Sequence, residues 1–528
     1  MIYKIKYLLA GKFILSAFLH FRNFTVKEDE PLEKEVAIDP EMLGKVFENL
    51  LPENIRKGNG AFYTPREIVH YMCQESLINY LYNKINIKHV ELSPEAKVEQ
   101  QKLFKAKKIG QLKLTQEVID EIISKDDIEF FIKTGSSTYV NKSRKLNVTL
   151  PDTITNNAQI LDKALFDIKV CDPAIGSGAF PVGMMNEIVR ARAALSEYIG
   201  KPDRSVYELK RNAIENSIYG VDIDAGAVDI AKLRFWLSLV VDEEDIKNIK
   251  PLPNLDYKIM QGNSLITSYE GIDFDEIVDK QSKQKQLDLF SSASEKITDK
   301  ISHQINQITN NYNETQKKEI KQKIEDLIVE LVKTKFEEKS EKEGKSKDFY
   351  EEKIRNFAQN KENRNFFPWK MFFADAFEQG GFDVVIGNPP YIQLQKFKGD
   401  PVQKLYKNAG YEVHDSNGDI YCLFYEKGLE VLKHGGNLCF ITSNKWMRAG
   451  YGEKLREFFV KNNPIQLIDF GGFGVFDSAT VDVNILLIEK NLYQNKTKSC
   501  AMGKDFDSLN QMSVYIRQNS SDQIYTKN

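Results

Sequence analysis

The stretch VCDPAIGSGAF (170–180) reads as the end of a β-strand, then an acidic residue, then a glycine-rich turn that opens into a helix. From about residue 166 onward strands and helices alternate, which favours a parallel, doubly wound α/β sheet with ligands at the carboxyl ends of its strands. Strands are predicted at Phe166–Val170, Ser217–Val221, Tyr257–Met260, Phe382–Ile386, Asn437–Thr442, Ile465–Phe470 and Val483–Ile488. Helices are predicted between them at 181–195, 206–216, 225–240, 419–433 and 452–461. No helix separates the last two strands, so the final one can run antiparallel.

The remaining regions surround this core. Residues 1–83 are expected to form an N-terminal helical segment, in which Thr64 and Pro65 give a helix-start signal. A polar insertion is expected at 84–160, with helices near 94–107 and 115–124, and a charged, solvated helical hairpin at 276–360. These boundaries leave the two halves of the core at 161–275 and 361–490, and a polar C-terminal remnant at 491–528.

Composition sets broad limits. A chain of 528 residues suggests two or three units, and 73 basic against 76 acidic residues give a net charge of −3. This balance neither demands nor excludes nucleic acid, because a basic cleft can be hidden in a neutral average. The 5 cysteines contain no C-x-x-C pair. We therefore expect reduced thiols in a cytoplasmic protein, with no structural metal and no membrane span.

The two glycines of the opening stretch, Gly176 and Gly178, let the backbone approach a ligand closely. The helix that follows offers free N–H donors at its first turn. Such a turn can cradle many nucleotides, and it can equally be a plain strand-to-helix connection.

Polar side chains end the next two predicted strands. In SIYGVDID (217–224), the carboxylate of Asp222 could accept both hydroxyls of a ribose, although an acid there can also cap the next helix. Asp224 is expected to be such a cap. In MQGNSL (260–265), Asn263 could bond an adenine edge or serve as an ordinary turn residue.

The segment FDVVIGNPPY (382–391) leads from a buried strand directly into two prolines, which fix the backbone. The Pro389 carbonyl and the Asn388 amide oxygen could together accept both protons of one exocyclic amine. Withdrawing on both N–H bonds frees the nitrogen lone pair, and the same oxygens stabilise the positive charge that develops there. Tyr391 offers a face on which a flat ring can stack.

These motifs together resemble the γ-class amino-methyltransferases of DNA, and above all the TaqI-like methylase domain of Type IIG restriction-modification enzymes. The short motifs are YTP (63–65), DPAIGSGAF (172–180), GVDID (220–224), GNSL (262–265) and NPPY (388–391). Longer similar phrases are AIDPEMLGKVFENLL (37–51), GAFYTPREIV (60–69), DPAIGSGAFPVGMM (172–185) and VFDSATVDVNILLI (475–488). The resemblance spans roughly 25–490, with two insertions.

The resemblance implies a Rossmann-like methyltransferase sheet of seven strands, S-adenosylmethionine as cofactor, and methyl transfer to N6 of adenine flipped out of double-stranded DNA. The implied cofactor-binding residues are Tyr63, Thr64, Asp172, Ala174, Gly176, Gly178, Phe180, Asp222 and Asn263. The implied catalytic residues are Asn388, Pro389, Pro390 and Tyr391. Phe476 is expected to stack the target base against Tyr391, with Phe473 as the alternative.

Relatives of this kind carry a nuclease domain upstream and a target-recognition domain downstream, and neither is evident in this sequence. We therefore expect a site-specific methylase of a restriction-modification system that lacks both and works with a separate specificity or restriction subunit. One alternative is a glutamine-amide protein methyltransferase, since those enzymes also use an NPPY segment, but they are shorter and lack the YTP segment. The other is an inactive truncation that binds DNA or cofactor.

Overall fold

The structure is a computed structural model that describes residues 63–91, 123–135, 149–240, 255–276, 278, 293–308, 314–343, 348–359, 365–476 and 481–525. The part of the predicted N-terminal helical segment before residue 63 lies outside these ranges. The same holds for the helix predicted near 94–107, and for the one near 115–124 apart from its last two positions, which are not helical.

One mixed sheet runs through the described part of the chain, in the order β11-β10-β8-β9-β7-β6-β1-β2-β3. The strands are β1 (Val170–Asp172), β2 (Ile218–Asp222), β3 (Ile259–Gln261), β4 (Ser268–Tyr269), β5 (Ile272–Asp273), β6 (Phe382–Gly387), β7 (Leu432–Ser443), β8 (Asn463–Asp469), β9 (Val483–Glu489), β10 (Thr497–Ala501) and β11 (Ser521–Gln523). Strands β4 and β5 form a separate hairpin. Neighbours from β3 to β7 are parallel, whereas β9 is antiparallel to both β7 and β8. The doubly wound α/β fold and the antiparallel final predicted strand are confirmed.

Helices cover both faces of this sheet. They are α1 (Arg66–Glu91), α2 (Lys125–Phe130), α3 (Asp152–Asn156), α4 (Ala158–Asp167), α5 (Ala179–Ala194), α6 (Val206–Asn216), α7 (Ala225–Val240), α8 (Ala293–Ile308), α9 (Glu314–Glu343), α10 (Asp348–Gln359), α11 (Trp369–Phe372), α12 (Ala374–Phe377), α13 (Pro401–Asn408), α14 (Ile420–Val431), α15 (Glu453–Val460) and α16 (Met512–Asn519). Along β6, Val384 and Ile386 join one core cluster and Val385 joins the other. A strand buried on both faces reads as a continuous apolar run, which is why this segment is so clear in the sequence.

The start of the first predicted strand and the predicted number of strands are wrong. The first strand was expected to begin at Phe166, but α4 continues to Asp167 and β1 starts at Val170. Leu161 and Leu165 are buried at helical spacing in α4, while Phe166 is 37% exposed, so helical packing decides this segment. The expected seven strands are joined by β10 and β11 from the polar C-terminal remnant, which extend the sheet beside β8.

The charged insertion is more than a solvated hairpin. Helices α8 and α9 form the expected pair, and α10 adds a third helix that packs against α9. Ile301, Ile324 and Ile328 are buried in the same cluster as Phe274, which precedes the insertion. The apolar positions at helical spacing therefore attach this region to the core.

Candidate active site at the carboxyl ends of the strands

The turn after β1 has the backbone that its glycines predict. Gly176 and Gly178 have φ angles of +52° and +86°. These angles lie in the left-handed region, which favours glycine because a residue with a Cβ atom would be strained there. A Cβ on Gly178 would also lie 3.2 Å from the Cβ of Ala231 in α7. The backbone N–H of Gly176 donates to Asp222 Oδ2 at 2.9 Å, so the turn is bonded to the end of β2.

Asp172 is buried at the end of β1, and its Oδ1 accepts from the Ala174 N–H at 3.0 Å. Burial raises the pKa of this carboxyl well above its usual value, and the charge of Asp222 raises it further. A Cβ on Gly387 would lie 2.6 Å from Asp172 Oδ1. Only glycine therefore lets β6 pass so close to Asp172 immediately before Asn388.

Asp222 ends β2 with each carboxylate oxygen accepting a backbone N–H, Oδ2 from the glycine turn and Oδ1 from Asp224 at 2.9 Å. Burial raises its pKa to about 6, and the backbone N–H groups of Asp224 and Gly176 oppose the rise. Asp224 Oδ1 accepts from the Ala227 N–H at 2.9 Å, so Asp224 caps α7 as predicted.

Ile223, between these two acids, is 58% exposed. Apart from its place between Asp222 and Asp224, no sequence pattern marks Ile223 as a site residue. An exposed apolar side chain beside the carboxylate that we expect to bind the ribose offers a surface for the face of a purine ring.

A hydrogen bond joins the N-terminal segment to the loop that follows β6. Asn388 Nδ2 donates to Thr64 Oγ1 at 3.1 Å, and Thr64 is buried. Helix α1 begins two residues later, at Arg66, and packs against β6, β7 and α5. The contact uses the amide nitrogen of Asn388, so its amide oxygen is the atom that would act as the acceptor for an amine.

The aromatic residues around this loop differ in their placement. Tyr391 donates its hydroxyl to the Ile441 carbonyl at 3.1 Å, and burial raises the pKa of its phenol well above the usual value. The rings of Tyr391 and Phe476 lie 6.4 Å apart, inclined at 54°. Phe473 instead packs on Phe506, with ring centroids 4.8 Å apart. Of the two candidates for stacking the base, Phe476 is the one that lies beside Tyr391.

The remaining predicted residues occupy different environments. Asn263 is buried, its Oδ1 accepts from the Leu265 N–H at 3.1 Å, and its Nδ2 donates to the Tyr406 hydroxyl at 3.3 Å. The turn role and a further acceptor role are therefore compatible, since Oδ1 has a second lone pair. Phe180 is buried in the core, and its carbonyl accepts from the Cys73 thiol. Three other predicted residues, Tyr63, Pro389 and Pro390, lie beside Thr64 and Asn388 in the chain, with Pro389 buried and the other two partly buried.

A left-handed glycine turn, a carboxylate that ends β2 and an exposed apolar side chain beside it fit a nucleoside cofactor. A doubly wound sheet with such a site at its carboxyl edge is a fold that S-adenosylmethionine-dependent methyltransferases share with other nucleotide-binding enzymes. Residues 216–476 match the model of the Eco57I restriction-modification methylase family. The predicted resemblance and the predicted cofactor are confirmed.

The relatives agree with this placement. A putative type II restriction enzyme and methyltransferase of Methanocaldococcus jannaschii is 27% identical over 90% of this chain and 39% of its own length. The type II restriction enzyme and methyltransferase RM.Eco57I of Escherichia coli is 25% identical over 63% of this chain and 26% of its own. This chain thus spans well under half of either relative.

Among solved structures, the Type IIL restriction-modification enzyme MmeI in complex with DNA aligns with a TM-score of 0.41 and 11% identity, over 89% of this chain and 42% of that one. The residues that the structure describes contain no helix with the length and apolar character to cross a membrane. They also bring together no group of three or more side chains suited to a metal ion. All five cysteines are buried and free.

Proposed function

We propose that this chain transfers a methyl group from S-adenosylmethionine to N6 of adenine in double-stranded DNA, as the site-specific methylase of a restriction-modification system. The observation that carries the proposal is the hydrogen bond from Asn388 to Thr64, which joins the segment expected to hold the cofactor to the loop expected to hold the amine. The family match supports DNA as the substrate.

When bound, S-adenosylmethionine would supply an activated methyl group, since its sulfonium leaves as a neutral thioether. The Asn388 amide oxygen and the Pro389 carbonyl would accept hydrogen bonds from the two N6–H groups, which leaves the nitrogen lone pair available for attack. The N–C bond would form as the C–S bond breaks, and one N6 proton would then pass to solvent. Alignment matters more than acid or base help in such a displacement. The target base must first leave the duplex, at a cost of a few kcal/mol. Stacking on Tyr391 and Phe476 offsets roughly 1–3 kcal/mol per aromatic face.

The test is to incubate the purified chain with plasmid DNA and labelled S-adenosylmethionine, and to identify the methylated nucleoside by mass spectrometry. N6-methyladenine is expected. N4-methylcytosine, or label on a glutamine of an added release-factor protein instead of on DNA, would contradict the proposal, and so would the absence of transfer under every condition.

Asn388→Ala should abolish transfer because one of the two amine acceptors is lost, while calorimetric binding of S-adenosylmethionine stays within about threefold of the original. The matched control is Asn519→Ala, which removes an exposed amide on α16 and should leave turnover unchanged. Turnover retained by Asn388→Ala would refute the two-acceptor mechanism.

We also propose that a separate specificity or restriction subunit brings the DNA site to this chain. The plasmid assay is repeated with the products of neighbouring genes. Methylation confined to one sequence only in their presence is the expected result, and equally specific methylation by the chain alone would contradict it.

A further inference from the structure

The segment 393–411 leaves the Asn388 loop and crosses the carboxyl edge of the sheet before α14 begins. It carries four lysines, Lys396, Lys398, Lys404 and Lys407, and one acidic residue, Asp400. The whole chain is close to neutral, with a net charge of −3, so this is a local concentration of positive charge. The segment follows the Asn388 loop directly, so a duplex from which a base enters the site would pass near it.

The outer face of this segment is free to meet a polyanion. All four lysines are exposed, and none of them forms an ion pair with a residue that the structure describes. Lys404 and Lys407 are three residues apart in α13 and therefore share one face of the helix. Asp400 is held at the start of the same helix, where its Oδ1 accepts from the Val402 N–H at 2.8 Å.

The inner face of the same segment is bonded to the loop of Asn263. Tyr406, on the opposite side of α13 from the lysines, is 4% exposed, and its hydroxyl accepts from Asn263 Nδ2 at 3.3 Å. Tyr411 donates its hydroxyl to the Leu265 carbonyl at 2.7 Å. The Tyr406 ring also packs edge-on against Phe397. One short element thus contacts the loop expected to hold the cofactor's adenine on one side and presents lysines on the other.

We propose that the segment 393–411 binds the phosphate backbone of double-stranded DNA beside the target base, and that this binding strengthens binding of the cofactor through the contacts of Tyr406 and Tyr411 with the Asn263 loop. The proposal rests on the proposed function for the identity of the polyanion. Lysines that neutralise phosphates release counterions, which makes the affinity fall steeply with salt. Fixing the segment from outside holds the Asn263 loop in place, and the coupling must act equally in both directions.

The first test measures binding of a fluorescent DNA duplex by anisotropy at several salt concentrations. The double variant K404Q/K407Q should lower the affinity about tenfold at low salt and reduce the slope of log K against log salt by about 2, since each phosphate contact contributes about 0.9. The matched control is K318Q/K323Q, which removes two exposed lysines from α9 in the insertion.

An equal loss in K318Q/K323Q, or no loss in K404Q/K407Q, would overturn the assignment of the surface. Double-stranded RNA bound as tightly as DNA, with the same dependence on Lys404 and Lys407, would overturn the assignment to DNA.

The second test measures the Kd of S-adenosylhomocysteine, which cannot transfer a methyl group, by calorimetry with and without the duplex. The original chain should bind it several-fold more tightly with DNA. K404Q/K407Q should bind it equally well without DNA and lose the tightening. Tyr406→Phe should keep its DNA affinity without cofactor and also lose most of the tightening. A tightening that persists in both variants would overturn the coupling.

The two proposals fail separately, because these readouts need no turnover. Normal duplex binding with no N6-methyladenine formed would refute the proposed function alone. Normal N6-methyladenine formation with duplex binding unchanged in K404Q/K407Q would refute this inference alone.

Discussion

Thr64 and Asn388 are 324 positions apart in the chain, yet one hydrogen bond joins them. Each belongs to a short motif that is readable without a structure, Tyr-Thr-Pro in one case and Asn-Pro-Pro-Tyr in the other. Their contact is not readable, because it depends on α1 packing across β6 and β7. The same holds for Asp222, whose two bonds to backbone N–H groups come from the fold of the neighbouring turn.

Phe476→Ala should reduce flipping of the target base, because the ring that lies 6.4 Å from that of Tyr391 is lost. A 2-aminopurine placed at the target position should show less fluorescence gain on binding, and the loss of stacking corresponds to roughly 1–3 kcal/mol. Phe473→Ala is the matched control, since Phe473 packs on Phe506. A larger effect for Phe473→Ala than for Phe476→Ala would transfer the role to Phe473.

We expect Asp222 to make cofactor binding depend on pH. Burial raises the pKa of the Asp222 carboxyl from the usual 3.8 to about 6. The contribution of Asp222 to folding stability is therefore fully present below pH 3.8 and is lost as the pH rises through about 6. Ribose hydroxyls donate to the ionised form, so affinity for S-adenosylmethionine should fall as pH drops through about 6, by up to about tenfold per unit below it. Calorimetry across this pH range checks the profile. Asp222→Asn should bind weakly and without this dependence, and an unchanged profile in that variant would remove Asp222 from the ribose site.

At the scale of elements, local pattern predicted the helices after each core strand to within a few residues, because their apolar positions repeat at helical spacing. It failed at α4, which was taken partly as strand, and at β10 and β11. The latter two are polar, short strands that form by pairing their backbones with β8 and with each other. No side-chain alternation marks such strands, so no period appears in the sequence.

Gly178→Ala should destabilise the protein by about 1–2 kcal/mol, because Gly178 has a φ of +86°. The added Cβ would also press on Ala231 of α7. Denaturant unfolding measures the change, and S-adenosylmethionine binding should weaken with it. Gly450→Ala is the control, since a Cβ there meets nothing within 4 Å. Its effect should stay within about 0.5 kcal/mol, and an equal loss in both variants would show that strain at Gly178 is not the cause.

At the scale of the whole molecule, the candidate site and a buried ionic cluster lie at opposite ends of the sheet's strands. The carboxyl ends of β1, β2, β3 and β6 hold the candidate site. The segments that lead into β1 and β3 carry Lys169 and Lys258, which lie within 3.4 Å and 3.0 Å of Asp375 and are each less than about a tenth exposed. Tyr219 bonds to both Asp375 and Lys258. This cluster ties three adjacent elements of the sheet to α12 at the end away from the chemistry.

Asp375→Asn should destabilise the fold by about 2 kcal/mol, below the usual range for a buried pair because Asp375 is 36% exposed. Burial already lowers the pKa of Lys258 to about 8. Loss of Asp375 removes the charge that stabilises protonated Lys258, so the pKa of Lys258 in the folded state falls further. The loss of stability relative to the unmutated protein should therefore shrink as the pH rises toward about 8, because Lys258 can give up its proton in the folded variant. Denaturant unfolding at pH about 7 and about 9 tests this.

The control for this prediction is Asp167→Asn, which breaks an exposed pair with Lys163 within α4. Its effect should stay within about 0.5 kcal/mol at either pH. A deficit in Asp375→Asn that does not change with pH would show that the charge of Lys258 is not its cause.

The sequence by itself determined the α/β class, most of the core elements and the motifs of the restriction-modification methylases, since each is written in residues that are neighbours in the chain. Only the tertiary structure decided which of them meet: Thr64 with Asn388, Gly176 with Asp222, Phe476 instead of Phe473 beside Tyr391. It also decided that the lysines of the segment 393–411 lie outside and Tyr406 inside. Local patterns report the period of an element, whereas the partner of a side chain depends on packing between elements that are hundreds of residues apart.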